Sequence, residues 1–390
     1  MKKLIAIALI FVTLITSGFS ALASGMEEEV VPVVNANSSP LAVNAPSAIL
    51  MEQSTGKILY EKNSHVKIAP ASITKIMTLL LAFEALEEGK FSLTDMVTAS
   101  EHAVSMGGSQ IWLETGERMS VDDILKATVI RSANDASVVL AELVSGSEEV
   151  FVALMNKRAK ELSMTDTVFK NASGLDAEGQ VSSAHDVAIM SRELLKHNLI
   201  TKYSTVWMDT LRDGKTELTN TNKLVRFYDG CTGLKTGTTS QAGYCLSATA
   251  TRGNLSLISV VMNAENTDDR FHDARKLLDY GFANFTFSIP PVDPLMPVKI
   301  KHGVQKSIVP QLSEQPGIVV LKGREADIVA KAEYEQVADA PVERGQTLGK
   351  LVYTLDGEVL AEIPIISEDK VDKLSFGLSF VRMLTAIFSA

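Results

Sequence analysis

The segment APASITKIMTLLLAFEALEEGK, Ala69–Lys90, decides how the rest of the chain is read. Pro70 suits the opening of a helix, and Gly89-Lys90 suits its close. The run Ile76–Leu81 between them, apolar apart from Thr78, demands burial. Lys75 stands at its entrance, three residues and one helical turn after Ser72. A lysine beside a buried helix is costly unless something uses it. Serine, in turn, is a poor nucleophile at neutral pH and needs an adjacent base. Ser72 and Lys75 supply both on one helix face, and burial would lower the lysine pKa so that it accepts the serine proton. Taken alone, the pattern also fits a capping serine and a snorkelling lysine.

Two further stretches change the balance. RSANDAS contains Ser132-Ala133-Asn134, and GLKTGTTSQ contains Lys235-Thr236-Gly237. Singly, the first is an ordinary helix N-cap and the second an ordinary strand end. Together they follow Ser72 in order, with gaps of 132 − 72 = 60 and 235 − 132 = 103 residues. Each falls where chemistry needs it: a helix start, an inter-helix loop, and a strand beside a hairpin.

The surrounding elements give the fold class. SAILMEQSTGKILYEKN is a hairpin turning at Ser54-Thr55-Gly56. Residues 92–200 read as mainly helical, with SVDDILKATVI, NDASVVLAELVSG and SSAHDVAIMSRELLKHN following capping residues. GYCLSATATRGNLSLISVVMNA is a second hairpin turning at Arg252-Gly253-Asn254, and DDRFHDARKLLDYGFANF is a closing helix. This predicts one α+β domain over residues 44–285, its antiparallel sheet assembled from the two distant hairpins around an inserted helical subdomain. The four prolines of SIPPVDPLMP then read as a linker. A small all-β, sandwich-like domain is expected over 291–367, including an Asp356-Gly357 hairpin. Residues 370–390 form an amphipathic helix in which Leu374, Phe376, Leu378, Phe380, Val381, Met383, Leu384, Ile387 and Phe388 make a wide apolar arc. Ser375, Ser379, Arg382 and Ser389 share the remaining strip. The alternatives for that helix are a lipid surface and packing on its own β domain.

Composition narrows the function classes. Hydrophobic residues at 46% and charged residues at 22% describe a core-forming protein of two domains. There are 37 Lys+Arg against 47 Asp+Glu and no basic cluster, which sets nucleic acid aside as a partner. Lys2 and Lys3, the apolar run Leu4–Ile15 and the small residues Ala21-Leu22-Ala23 read as a signal peptide, residues 1–23. A flexible leader is expected over 24–43, so the mature chain would work outside the cytoplasm. Cys231 and Cys245 flank a Gly- and Thr-rich turn, and spacing alone leaves a disulfide and two free thiols open. No H-E-x-x-H or three-ligand histidine set occurs, so metal catalysis is not expected and no cofactor is implied.

With S-x-x-K, S-x-N and K-T-G in place, the chain resembles the D-alanyl-D-alanine carboxypeptidases, the low-molecular-mass penicillin-binding proteins. The likeness rests on APASITKIMT, RSANDAS, NASGLDAEGQVSSAHD and GLKTGTTSQAGYCLSATA, on the β domain and on the amphipathic tail. It implies a β-lactamase/transpeptidase-like catalytic domain. It also implies Ser72 as nucleophile toward the penultimate D-Ala carbonyl of a peptidoglycan pentapeptide stem, Lys75 as its base, and β-lactams as covalent inhibitors. Ser132 would relay a proton, and Asn134 would bond the substrate amide. Lys235 and Thr236 would hold the terminal carboxylate with help from Arg270, and Gly237 would let substrate pass close to the strand. The backbone N–H groups of Ser72 and Thr238 would form the oxyanion hole. Family members often carry histidine at Thr238 and glycine at Ala133. A backbone donor survives the first change, which leaves substrate preference in question. His185-Asp186 reads as structural. The tail would hold the protein at the extracytoplasmic face of the cytoplasmic membrane.

Two rivals follow from the same residues. A serine β-lactamase shares the three motifs, but fast hydrolysis of its acyl-enzyme needs a positioned glutamate, and no E-x-x-L-N lies between Ser132 and Lys235. A non-catalytic muropeptide-binding scaffold would have no use for an intact Ser72-Lys75-Ser132-Asn134-Lys235 set.

Overall fold

Two apolar hairpins from opposite ends of the region 44–285 close one sheet. The computed structural model describes residues 41–314 and 317–388; the expected signal peptide, most of the expected leader, the Leu384 side chain and Ser389 lie outside the described residues. Strands β1 (Ser47–Glu52), β2 (Ile58–Lys62), β3 (Cys231–Thr239), β4 (Gly243–Arg252) and β5 (Leu255–Ala264) form an antiparallel sheet in the order β2-β1-β5-β4-β3. Pairing of β1 with β5, from Ser47↔Met262 to Glu52↔Leu257, joins the early hairpin to the late one. That leaves β3, which carries the Lys-Thr-Gly motif, at an edge where one side of its backbone is free to meet substrate.

Both faces of the sheet are covered, which explains its unbroken apolar strands. Along β5 the side chains alternate. Leu257 and Val261 pack with Leu277 and Leu278 of α6 (Thr267–Asn284). Ile258, Val260 and Met262 join the larger core under the helical region. The main helices of that region, besides the short Glu101–Val104 and Ile200–Ser204, are α1 (Lys75–Glu87), α2 (Val121–Lys126), α3 (Asn134–Ser145), α4 (Glu148–Glu161) and α5 (Ala184–Leu194). Helix α1 is buried nearly all round, with Ile76, Met77, Leu79, Leu80 and Phe83 at 0–1% exposure. Each such side chain contributes about 1.5–3 kcal/mol, which offsets the cost of taking Lys75 inside with them.

The region read as mainly helical also holds a two-stranded pair, Met96–Thr98 with Arg118–Ser120. A ribbon, Met208–Leu211 with Thr216–Thr219, was not anticipated either. Strands of three or four residues are too short to display a period of two. Residues 41–43 are not a loose leader end: Val43 is buried, and Lys62 Nζ donates to its carbonyl at 2.8 Å. The cysteines are free thiols. Cys231 pairs with Ala250 and Cys245 with Gly237, so the hairpin register keeps them apart.

After α6, Phe285–Ser288 pairs with Ile318–Leu321. A three-stranded sheet, Ser307–Ile308, Val298–Lys301 and Val337–Asp339, and a four-stranded sheet, Pro310–Leu312, Glu358–Ser367, Thr347–Leu355 and Val329–Tyr334, complete an all-β region. Asp356 and Gly357, at φ 54° and 87°, turn the long hairpin as its sequence requires. Packing continues past residue 367, because Val371 is 1% exposed and pairs with Val342. The C-terminal helix, α7 (Phe376–Phe388), leaves Phe376, Leu378, Phe380, Met383, Ile387 and Phe388 exposed, while Arg382 donates to the carbonyls of Gly303 and Val304. Among the described residues no helix is long and apolar enough to cross a membrane.

Candidate active site

Ser72 does not lie in α1 itself but in the tight 3-10 turn Ala71–Thr74 that leads into it, and Lys75 is the first residue of the α-helix. That turn begins strained, with Ala71 at φ 48°, and it is wedged between two glycines. A Cβ on Gly174 (φ 85°) would stand 1.9 Å from the Ala71 carbonyl oxygen. A Cβ on Gly237 would stand 3.0–3.1 Å from Pro70 O, Ala71 Cβ and Ile73 Cγ1. Gly237 therefore packs tightly against the nucleophile's own turn, a contact additional to the close substrate approach expected of it.

Lys75 is fully buried, and its Nζ lies 3.1 Å from Ser72 Oγ, 2.5 Å from Asn134 Oδ1 and 2.6 Å from Ser173 O. Asn134 and Ser173 take two N–H groups, so a neutral amine directs its lone pair at the Ser72 hydroxyl. Burial lowers the Lys75 pKa well below its ordinary 10.5, the nearby Lys235 charge lowers it further, and Asp135 opposes both.

The middle motif follows a widened π turn, Ala127–Arg131, after which Ser132 adopts the left-handed conformation at φ 63°, ψ 32°. Such a turn interrupting a helix and a left-handed non-glycine residue together mark a site held against local preference. Ser132 Oγ accepts from Lys235 Nζ at 2.7 Å, and Asn134 Nδ2 donates to Gly107 O at 2.6 Å. Lys235 is buried beside Arg270, and burial first and Arg270 second push it down to about 7. Thr236 Oγ1 meets Thr221 Oγ1 at 2.7 Å, and Thr238 is exposed at the strand end. Arg270 stands one layer behind: its Nη1 donates to Thr238 Oγ1 at 3.0 Å and to Gly237 O at 3.2 Å.

The expected site residues thus converge from a turn, a loop, an edge strand and α6. His185 and Asp186 lie elsewhere, at the start of α5, where the Asp186 carboxylate accepts from Asp166 N and Thr167 Oγ1. Sequence reasoning missed Ser173, Gly174 and Thr221. Ser173 acts through a backbone carbonyl, which no residue type encodes. A groove lined by Ala69, Asp176, Glu178, Gln241 and Asn263 includes none of the expected site residues, though Ala69 lies three residues before Ser72 and Gln241 just past the end of β3.

A serine with a buried, pKa-lowered lysine, a second serine–lysine pair and an edge strand defines a serine-type acyl-transfer enzyme. A family model described as D-alanyl-D-alanine carboxypeptidase matches residues 33–266, and one described as the C-terminal domain of penicillin-binding protein 5 matches 293–373. The chain belongs to the D-alanyl-D-alanine carboxypeptidase family and is a serine peptidase of the penicillin-binding type. It is 46% identical to the carboxypeptidase DacF of Bacillus subtilis over 98% of this chain and 97% of that one. To DacC of Escherichia coli it is 35% identical over 86% of each chain. Penicillin-binding protein 5 from Haemophilus influenzae superposes with a TM-score of 0.77 at 33% identity, covering 86% of this chain and 99% of that one. Penicillin-binding protein D2 from Listeria monocytogenes, solved in its ampicillin-bound form, gives 0.57 at 33% identity over 63% of this chain and 100% of the other. The Haemophilus neighbour spans both the catalytic domain and the all-β domain that follows it, the mixed α and β architecture described above.

Proposed function

We propose that the chain removes the terminal D-alanine from peptidoglycan pentapeptide stems through an acyl-enzyme on Ser72. The observation that carries this reading is the contact of the buried Lys75 amine with Ser72 Oγ at 3.1 Å. Lys75 takes the hydroxyl proton as Ser72 Oγ bonds to the penultimate D-Ala carbonyl carbon. The developing oxyanion lies between the N–H groups of Ser72 and Thr238. The peptide C–N bond then breaks, and D-alanine leaves with a proton delivered through Ser132, which Lys235 orients. Lys235 and Thr236 hold the terminal carboxylate, Asn134 the substrate amide, and the groove at Ala69 the body of the stem. Arg270 supports Thr238 and adds positive charge from behind the strand. Water finally hydrolyses the ester.

β-Lactams acylate the same serine, as the ampicillin-bound Listeria neighbour suggests by likeness. The work is done outside the cytoplasm, and the apolar face of α7 lies in the outer surface of the cytoplasmic membrane. A fluorescent penicillin tests the mechanism. Peptide mapping should locate the label on Ser72, and Ser72→Ala should take none. Lys75→Ala should fold and acylate about 10²–10⁴-fold more slowly. Label on another serine would refute the assignment.

A further inference from the structure

Segment 111–113 is held from both sides, and what it holds is Asn134. On one side the buried Asp135 carboxylate accepts from Ile111 N at 3.2 Å and from Leu113 N at 3.1 Å. On the other, Arg212 reaches over from the ribbon, its Nη1 donating to Ile111 O at 3.0 Å and its Nη2 to Trp112 O at 3.4 Å. Arg212 is itself fixed by a two-point pairing with Glu117, at 2.7 and 3.0 Å. Between these anchors Trp112 is driven to φ 53°, a conformation rare for a bulky residue, and the residue is 68% exposed. The strain persists because both ends of the peptide are over-determined.

The preceding residues of the same loop touch the site. Gly107 O accepts from Asn134 Nδ2, Ser109 O from Asn134 N at 2.7 Å, and Ser109 Oγ donates to Arg131 O at 2.9 Å. Gly108 leaves the space that Asn134 Nδ2 occupies, since a Cβ there would stand 2.8 Å away. With Nδ2 committed to Gly107 O, the amide presents Oδ1 to Lys75 Nζ. The opposite orientation would put two donors face to face.

We propose that Asp135 and Arg212 are positioning residues for the reaction: by clamping residues 111–113 they fix the loop that sets the Asn134 amide, and through it the lone pair of Lys75. Neither touches the groups assigned to the terminal carboxylate. Loosening the clamp therefore slows acylation and, because Asn134 also bonds the substrate amide, weakens substrate binding by a smaller factor.

The test uses the mature, full-length protein with a pentapeptide stem and, separately, with penicillin. Arg212→Ala should lower kcat and the penicillin acylation rate by about 100-fold, the cost of misplacing a reacting group by roughly 1 Å, with KM rising by less than about tenfold. Arg212→Lys, which keeps the charge and one donor to the loop, should recover a substantial part. Asp135→Asn replaces an acceptor of several N–H groups by an amide and should show the same loss of kcat, read on the pH plateau because the change also removes a charge that raises the Lys75 pKa. If it fails to fold, the two Arg212 variants decide the matter alone. A folded Arg212→Ala that acylates within twofold of wild type, or whose loss lies wholly in KM, overturns the proposal.

Discussion

Lys235 donates a 2.7 Å hydrogen bond to Ser132, tying together two motifs far apart in the chain. The same Lys235 charge lowers the Lys75 pKa, so one lysine of the site biases the other toward the neutral form. Lys75 must be neutral to act as base, whereas Lys235 must be charged to attract a carboxylate.

That division predicts the pH profile. Activity should rise with pH as Lys75 loses its proton, at a pH far below the ordinary lysine range. It should fall again as Lys235, held at about 7 in the free enzyme, becomes neutral. The fall belongs to kcat/KM, which reports the free enzyme, more than to kcat. Arg270→Gln removes a charge that lowers Lys235, so the alkaline limb should move to higher pH. A pH-rate profile with an unmoved limb would remove Lys235 from this role.

Gly174→Ala tests the wedge around the nucleophile. The substitution meets both a left-handed backbone and the Ala71 carbonyl, and should cost about 2–5 kcal/mol with a marked loss of acylation. Gly89→Ala is the control. Its φ is 74° but nothing lies within 4 Å, so denaturant unfolding should show a cost of about 1–2 kcal/mol and penicillin labelling should be unchanged.

The helix α7 predicts fractionation. Truncation must spare Val371, which is buried in the β region, so the cut belongs after Leu374. The shortened protein should retain full activity on a soluble pentapeptide and move from the membrane to the soluble fraction. Sedimentation of the truncated form with membranes, or failure of the intact form to do so, would refute the anchor.

The sequence was most legible where side chains do the chemistry. Ser72, Lys75, Ser132 and Lys235 could be named because three motifs, each weak alone, together resemble those of the penicillin-binding family, and the fold brings the pairs Ser72–Lys75 and Ser132–Lys235 into contact. The two hairpins could be found because apolar strands bounded by Ser-Thr-Gly and Arg-Gly-Asn leave little else to form. What escaped acts through backbone or shape. Ser173 contributes a carbonyl, Gly174 an absence of volume, and Gly237 a close contact with Ala71 in addition to the substrate approach expected of it. The strain at Ala71, Trp112 and Ser132 escaped as well, because tertiary anchors impose it against local preference.

The account stands most directly on the products formed from a pentapeptide stem ending in D-Ala-D-Ala, identified by mass spectrometry. Wild-type protein should give the tetrapeptide and free D-alanine in equal amounts, and Ser72→Ala should leave the pentapeptide intact. A pentapeptide untouched by wild type, or cut equally by Ser72→Ala, would contradict it.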